Sequence, residues 1–321
     1  MKESRDSSSL GPAGGTGRSA AVKSGTDRKN RRIIKLRGLL KMTKILADST
    51  CDLSQELIEK YNIGIIPLYV HLGEEEFKDG VNIRPEELFR WSDEHGKTPK
   101  TAAPSVEDIE AFLDPDGNDE YVIFTISSSM SGCYNNCTLA AQDLKMEDRV
   151  FVIDSENLST GIALQVILAA EMAAEGKSGA DIAAENAKIR GKVRASFVID
   201  TLTYLYRGGR CSGLAALFGS ALKLHPRIAV AGGAMHPEKK YRGRDIRYVM
   251  DYVKDMEGAL KTARKDRVFI THSGCSREIV DSVREYLEGL GHFDEILETR
   301  AGAVISSHCG PGTLGVLFIA E

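Results

Sequence analysis

The chain has 321 residues, 42% hydrophobic and 27% charged, with a net charge of −4. That length can bury two domain cores, and no apolar run is long enough to span a bilayer. Residues 1–42 hold eleven Lys/Arg against three Asp/Glu, leaving 31 basic and 43 acidic residues beyond them; such an acidic body does not suit the counterion release on which nucleic-acid binding depends.

In chain order, residues 1–42 are rich in Gly, Ser, Lys and Arg and lack aromatic residues, so they are expected to be a disordered basic extension or an upstream mis-start before Met42. From Lys44 strand-like and helix-like segments alternate, the pattern of an α/β architecture. A strand is expected over 44–47, a helix over 54–61, and a small hairpin over 65–72 and 75–77 closed by Gly73. A helix with proline in its first turn follows over 85–91, and Ser105-x-x-Asp108 opens another in the manner of a capping box. A buried strand over 121–126 runs into a serine turn, with a helix from Cys133, a strand over 149–153 and alanine-rich helices over 160–174 and 179–190. A strand over 196–199 begins the second half. Helices over 202–207 and 214–222, a strand over 227–231, a helix over 246–263, a strand over 267–272 and a helix over 277–290 come next. Two strands over 295–306 and 313–320 close the chain. The domains expected are 43–193 and 194–321.

Four turns beside apolar runs stand out. They are Thr101-Ala102-Ala103-Pro104-Ser105, Ile126-Ser127-Ser128-Ser129-Met130-Ser131-Gly132, the stretch from Asp200-Thr201-Leu202 to Gly208-Gly209-Arg210, and His308-Cys309-Gly310-Pro311-Gly312. Each offers hydroxyls, glycines, an arginine or an imidazole in a turn where glycine permits close backbone approach and proline stiffens it. Neutral hydroxyls, helix-terminal N–H groups, Arg210 and His308 are donors suited to an anion, and no nucleophile–base pair is recognisable among them. Read singly, each turn is an ordinary loop, cap or helix stop; together they suit a site that holds an anion without cutting it.

In register over residues 42–321, these four segments and the opening Lys44-Ile45-Leu46-Ala47-Asp48-Ser49-Thr50-Cys51-Asp52-Leu53 resemble the DegV family. That resemblance implies an N-terminal, mainly parallel α/β domain with a hairpin insertion, a C-terminal mixed α/β domain, and a ligand between them. It implies a cytoplasmic protein that binds a long-chain fatty acid and presents it to a separate fatty-acid kinase subunit, needing no cofactor or metal. The carboxylate contacts carried over are Thr101, Ser127 or Ser128, Arg210 and His308, with Ser131, Gly132, Gly208, Gly209, Gly310 and Gly312 shaping the turns. Apolar wall is expected from Ile126, Leu202, Leu205, Leu214, Leu217, Phe218 and Val304. Ten buried methylenes at about 0.8 kcal/mol each would give roughly 8 kcal/mol, near micromolar affinity before ordering costs.

The chain departs from the family pattern where threonine usually follows Ser-Gly (here Cys133), where serine often follows the first threonine (Ala102), and where lysine commonly precedes proline (His225-Pro226). The alternative function is an acyl-ester or acyl-phosphate hydrolase pairing His308 with Ser128 or Cys309; a weaker one is the substrate half of a ketose-type kinase. Gly176-Lys177-Ser178 lacks the first glycine of a P-loop, and the carboxylates of 114–119 lack EF-hand spacing. Six scattered cysteines, with Cys133 and Cys137 one helical turn apart, read as reduced thiols. The basic run Lys239, Lys240, Arg242, Arg244 and Arg247 reads as a solvated face, with docking of the partner as the sharper reading.

Overall fold

Parallel pairing organises the first half. A computed structural model describes residues 41–211, 224–244 and 246–321; the expected helix over 214–222 and the wall residues Leu214, Leu217 and Phe218 lie outside the described residues, as does the extension up to residue 40. Strand β1 (Thr43–Asp48) is followed by the helix Gln55–Tyr61 and β2 (Gly64–Ile66). Next come β3 (Tyr69–Leu72), β4 (Glu75–Lys78), the helix Pro85–His95 and β5 (Lys100–Ala102). After the helix Val106–Glu110, strand β6 (Glu120–Thr125), the helix Cys133–Asp143 and β7 (Val150–Asp154) complete a parallel sheet in the order β2-β1-β6-β7. All six residues of β6 are buried, the continuous apolar run of a strand covered on both faces.

The apolar stretch 65–72, expected to be one strand of a hairpin, is two strands in different sheets. Pro67 has no N–H for a ladder, so β2 ends at Ile66 and β3 restarts at Tyr69 in a small sheet of order β4-β3-β5. That sheet is the insertion, and it delivers Thr101 on β5 beside Val70 of β3.

The helix Thr160–Ala174 is apolar nearly all round, as a fully buried helix must be, and it touches β1 and β6 on one side and β8 and β13 on the other. After the helix Gly179–Ile189, residue 193, taken above as the boundary, is the first of β8 (Val193–Val198). The helix Thr203–Gly208 follows, then β9 (Leu224–Ala231) and β10 (Ala234–Arg242). The helices Ile246–Asp255 and Glu257–Leu260 lead to β11 (Ala263–Ser273), and the helix Arg277–Gly289 to β12 (Glu295–Arg300). The helix Ala303–Cys309 precedes β13 (Thr313–Ala320). These strands form a mixed sheet, β10-β9-β8-β13-β11-β12. Alternate residues face opposite ways: Phe269 and Leu317 join the core around the central helix, while Val268, Ile270, Val316 and Phe318 pack under the helices Ile246–Asp255 and Arg277–Gly289.

The basic run Lys239, Lys240, Arg242, Arg244 and Arg247 is exposed, in keeping with its reading as a solvated face, and lies partly in edge strand β10, where Pro237 sits at a register shift and lysines blunt the open edge. Two further expectations are corrected. The helix expected over 246–263 breaks at Met256, and Ala263 already belongs to β11. The strand expected over 295–306 stops at Arg300, and Ala303–Cys309 is helical. Val304 and Ile305 are β-branched and read as strand, but two carboxylates receive the first N–H groups and hold the turn in helix. No helix among the described residues is long and apolar enough to cross a membrane.

Candidate functional site

Three of the four singled-out turns meet directly around one cavity of about 120 Å³, and Arg210, at the end of the other, is also in its lining. Thr101 comes from β5, and Asn136 Nδ2 donates to Pro104 O at 2.8 Å, locking that segment to the helix after the serine turn. His308 stands in the last turn of the Ala303–Cys309 helix, not at a strand end as its setting suggested. Its Nε2 lies 2.9 Å from Thr101 Oγ1. Gly208 packs against the Nδ1 edge of the ring, where a Cβ would fall 2.4 Å from Nδ1, so only glycine fits there. Gly310 (φ 77°) turns the chain away from the helix, and a Cβ on it would meet the Tyr204 ring at 2.7 Å.

Burial, reinforced by the charge of Arg210, pulls the His308 imidazole down to about 4, so the ring is neutral near pH 7 and has one donor. Donation from Nε2–H to Thr101 Oγ1 leaves the threonine hydroxyl free to donate onward to a ligand oxygen. It also leaves Nδ1, which has no hydrogen-bond partner among the described residues, as an acceptor lone pair, the more tolerable orphan. An anion beside the pair would favour the imidazolium and strengthen the chain of donors.

This depression has a stability consequence. As pH falls below 6.5 the unfolded chain takes up a proton that folded His308 refuses until about 4, so stability is lost across that window. Asp79, pushed up to about 6 by burial from an ordinary 3.8, works the other way: it holds a proton when folded that it lacks when unfolded, and stability is gained as pH falls from about 6 to 3.8. Urea unfolding between pH 7 and 4.5 is therefore expected to show a flatter acid limb in His308→Gln than in the wild type.

The serine turn is placed differently from the expectation. Ser127 Oγ donates to Gly233 O at 2.7 Å and Ser128 Oγ to Asp154, so the hydroxyls tie the turn to the β9–β10 turn and to the end of β7, and neither residue lines the cavity. Ser131 and Gly132 do line it, at the N-terminal end of the Cys133–Asp143 helix, whose dipole favours an anion. Ser131→Ala is accordingly expected to weaken binding of a carboxylate ligand by several-fold (roughly 1 kcal/mol for one hydrogen bond), more than Ser128→Ala does, as isothermal titration would show.

Arg210 lines the cavity and is itself held by donation to Gly208 O at 2.7 Å. Gly209 (φ 67°) caps the helix Thr203–Gly208, while Gly312 (φ 73°) lies over Asp200 and outside the lining. Of the expected apolar wall, Ile126 and Val304 are present; Leu202 and Leu205 face elsewhere. Sequence reasoning missed Leu68, Met130, Leu158, Met235 and Ile305. Met130 lay inside the serine turn and could have been found there, whereas Met235 on the unforeseen strand β10 carried no local mark. Leu158, Ile305 and Cys309 also border a second, smaller cavity of about 20 Å³ under β11 and β13.

Comparison with known proteins adds the following. Residues 42–321 match the model of a family described as "Uncharacterised protein, DegV family". A DegV domain-containing protein of Caldanaerobacter subterraneus is 33% identical over 278 residues, covering 85% of this chain and 97% of that protein. The structure described as "Fatty Acid Binding of a DegV family Protein from Thermus thermophilus" superposes with a TM-score of 0.79 at 30% identity, over 87% of this chain and all of that one. A Streptococcus pneumoniae fatty acid kinase B3 protein loaded with linoleic acid shares the fold at a TM-score of 0.74 and 20% identity, over 87% of this chain and all of that one.

Proposed function

Because the chain belongs to the DegV family, we propose that it binds a long-chain fatty acid in the cavity between its parallel and mixed sheets and presents the carboxylate to a separate fatty-acid kinase subunit. The observation that carries this reading is the Thr101–His308 pair at 2.9 Å, in the lining of a cavity that Ser131 and Arg210 also line. Hydrogen-bond donors and the apolar side chains of Ile126, Met130, Leu158 and Val304 share that lining, the two chemistries a fatty acid needs. The carboxylate accepts from Thr101 and Ser131, with His308 behind the threonine and Arg210 supplying charge. A long acyl chain needs more room than 120 Å³. The tail therefore has to spread the wall, where Met130 and Met235 repack readily, and run past Leu158 and Ile305 toward the second cavity. Nucleotide binding and phosphoryl transfer belong to the kinase subunit, and no cofactor is needed in this chain.

The hydrolase alternative requires a nucleophile on His308. Among the described residues the ring bonds Thr101, Ser128 is engaged by Asp154, and burial pushes the Cys309 thiol up to about 12. These partners support binding over cleavage. The test is native mass spectrometry of freshly purified protein followed by lipid extraction: near-stoichiometric fatty acid is expected. Protein that is empty, and stays empty after incubation with palmitate, would sink the reading.

A further inference from the structure

Two buried carboxylates grip the N-terminal end of the helix that carries His308. Asp52 Oδ1 accepts from Gly302 N at 2.8 Å and Asp79 Oδ1 accepts from Ala303 N at 2.7 Å, contacts that span 250 and 224 residues of sequence. The second oxygen of each is used as well: Asp52 Oδ2 accepts from Ser159 Oγ at 2.5 Å and Asp79 Oδ2 from Ser49 Oγ at 2.9 Å. Asp52 is 5% exposed and Asp79 2%, and among the described residues neither forms an ion pair with a lysine or arginine. Arg300, three residues before Ala303, pairs with Glu86 instead.

The grip is close-fitting and stiffly coupled to the site. A Cβ on Gly302 would lie 3.0 Å from Asp79 Oδ1 and 3.3 Å from Asp52 Oδ1, so any larger residue would push the carboxylates back by a few tenths of an ångström. Within the helix Ser307 Oγ donates to Ala303 O at 2.7 Å, and Ser306 Oγ meets Ser273 Oγ at 2.9 Å. His308 lies six positions beyond Gly302, so displacement at one end is passed along about 9 Å of helix to the other. Asp52 and Asp79 belong to the first half of the chain, as does Thr101; His308 belongs to the second.

We propose that Asp52 and Asp79 are positioning residues for carboxylate recognition: by holding the Gly302 and Ala303 N–H groups, they set the height at which His308 meets Thr101. Burial raises both carboxyls, an energetic cost that a purely apolar contact would not carry, and such violations collect where geometry is being fixed. The inference rests on the fatty-acid reading above and concerns only how its donor pair is held.

The test compares hexadecanoic acid with hexadecan-1-ol at pH 7.5, each by direct binding, with Tm recorded for every variant. The alcohol fills the same wall but presents no carboxylate. Asp79→Ala is expected to lower the acid-over-alcohol preference about tenfold, the size of one charge-assisted contact, while alcohol affinity changes less than about twofold. Asp79→Asn keeps an oxygen for Ala303 N and is expected to recover the preference to within about threefold of the wild type. Should Asp79→Ala not fold, Gly302→Ala, which crowds both carboxylates, is expected to lower the preference about threefold. Equal weakening of acid and alcohol, or no change in either, would overturn the proposal and leave a structural cap. A wild-type protein that binds neither ligand would remove the fatty-acid reading and this inference with it.

Discussion

Glu171→Leu is expected to destabilise the protein by about 3 kcal/mol, and adding Arg267→Met to it is expected to restore most of the loss. Glu171 lies near the end of the central helix, and its Oε1 accepts from Arg267 Nη2 of β11 at 2.6 Å; Tyr61 Oη donates to the same oxygen at 3.4 Å. The Arg267 side chain is only 8% exposed, and among the described residues its Nε and Nη1 have no hydrogen-bond partner. Asp266 and Glu295 stand 3.8 and 3.7 Å from Nε, near enough for attraction but too far for a bond. Removing Glu171 therefore strands a guanidinium whose solvation by water has already been given up. The loss falls at the lower end for a broken buried pair, about 3 kcal/mol, because Glu171 is itself about a third exposed and so partly screened by water. A volume-matched apolar pair has no charge to desolvate, which is why the double variant should recover. Urea midpoints of the wild type, both single variants and the double variant complete the cycle. A double variant no more stable than Glu171→Leu would show that the loss comes from packing of the helix end.

Thr101→Val is expected to weaken fatty-acid binding about ten- to a hundredfold and to lower Tm by roughly a few degrees, because it strands a buried ring nitrogen. Valine keeps the branched shape that suits β5 but removes the hydroxyl 2.9 Å from His308 Nε2. The ligand loses its nearest donor, and the buried ring loses the only hydrogen-bond partner it has among the described residues. A hydrogen bond to a charged group is worth about 1.5–3 kcal/mol, which sets the range. Since Thr101 and His308 act in series, His308→Ala added to Thr101→Val should cost little more affinity than the first change alone. Displacement of a fluorescent acyl probe measures all three variants. Additive losses would mean that the two side chains contact the ligand separately.

Long periodic elements were legible in the sequence: the helix over 160–174 and the last strand over 313–320 match their expected bounds. The parallel first sheet and mixed second sheet follow the family resemblance. What failed was decided by tertiary partners. Val304 and Ile305 favour a strand locally, and nothing near them announces Asp52 and Asp79, more than 220 residues away, waiting to cap a helix. Ser127 and Ser128 look like ligand donors in a string of hydroxyls, but their partners are Gly233, in the β9–β10 turn, and Asp154, at the end of β7, which only folding brings near. Thr101, Arg210 and His308, carried over by the family resemblance, line one cavity, and the turns that bear them stand out by composition without knowledge of their neighbours. Met235 was not, because its role comes wholly from the register of β10 against β9.

The central helix Thr160–Ala174 makes the two sheets poor candidates for separate life. Ile162, Leu164, Val166 and Ile167 are each fully buried, wedged between β1 and β6 on one flank and β8 and β13 on the other. A gene cut at residue 192 would yield a product with half of that greasy rod facing water, a sticky surface inviting self-association. Its complement would keep the mixed sheet but lose the lining of one face. Swapping halves between relatives to graft a new ligand preference would thus meet its main obstacle at this rod, and the junction would do better placed to carry the rod with both sheets that clasp it.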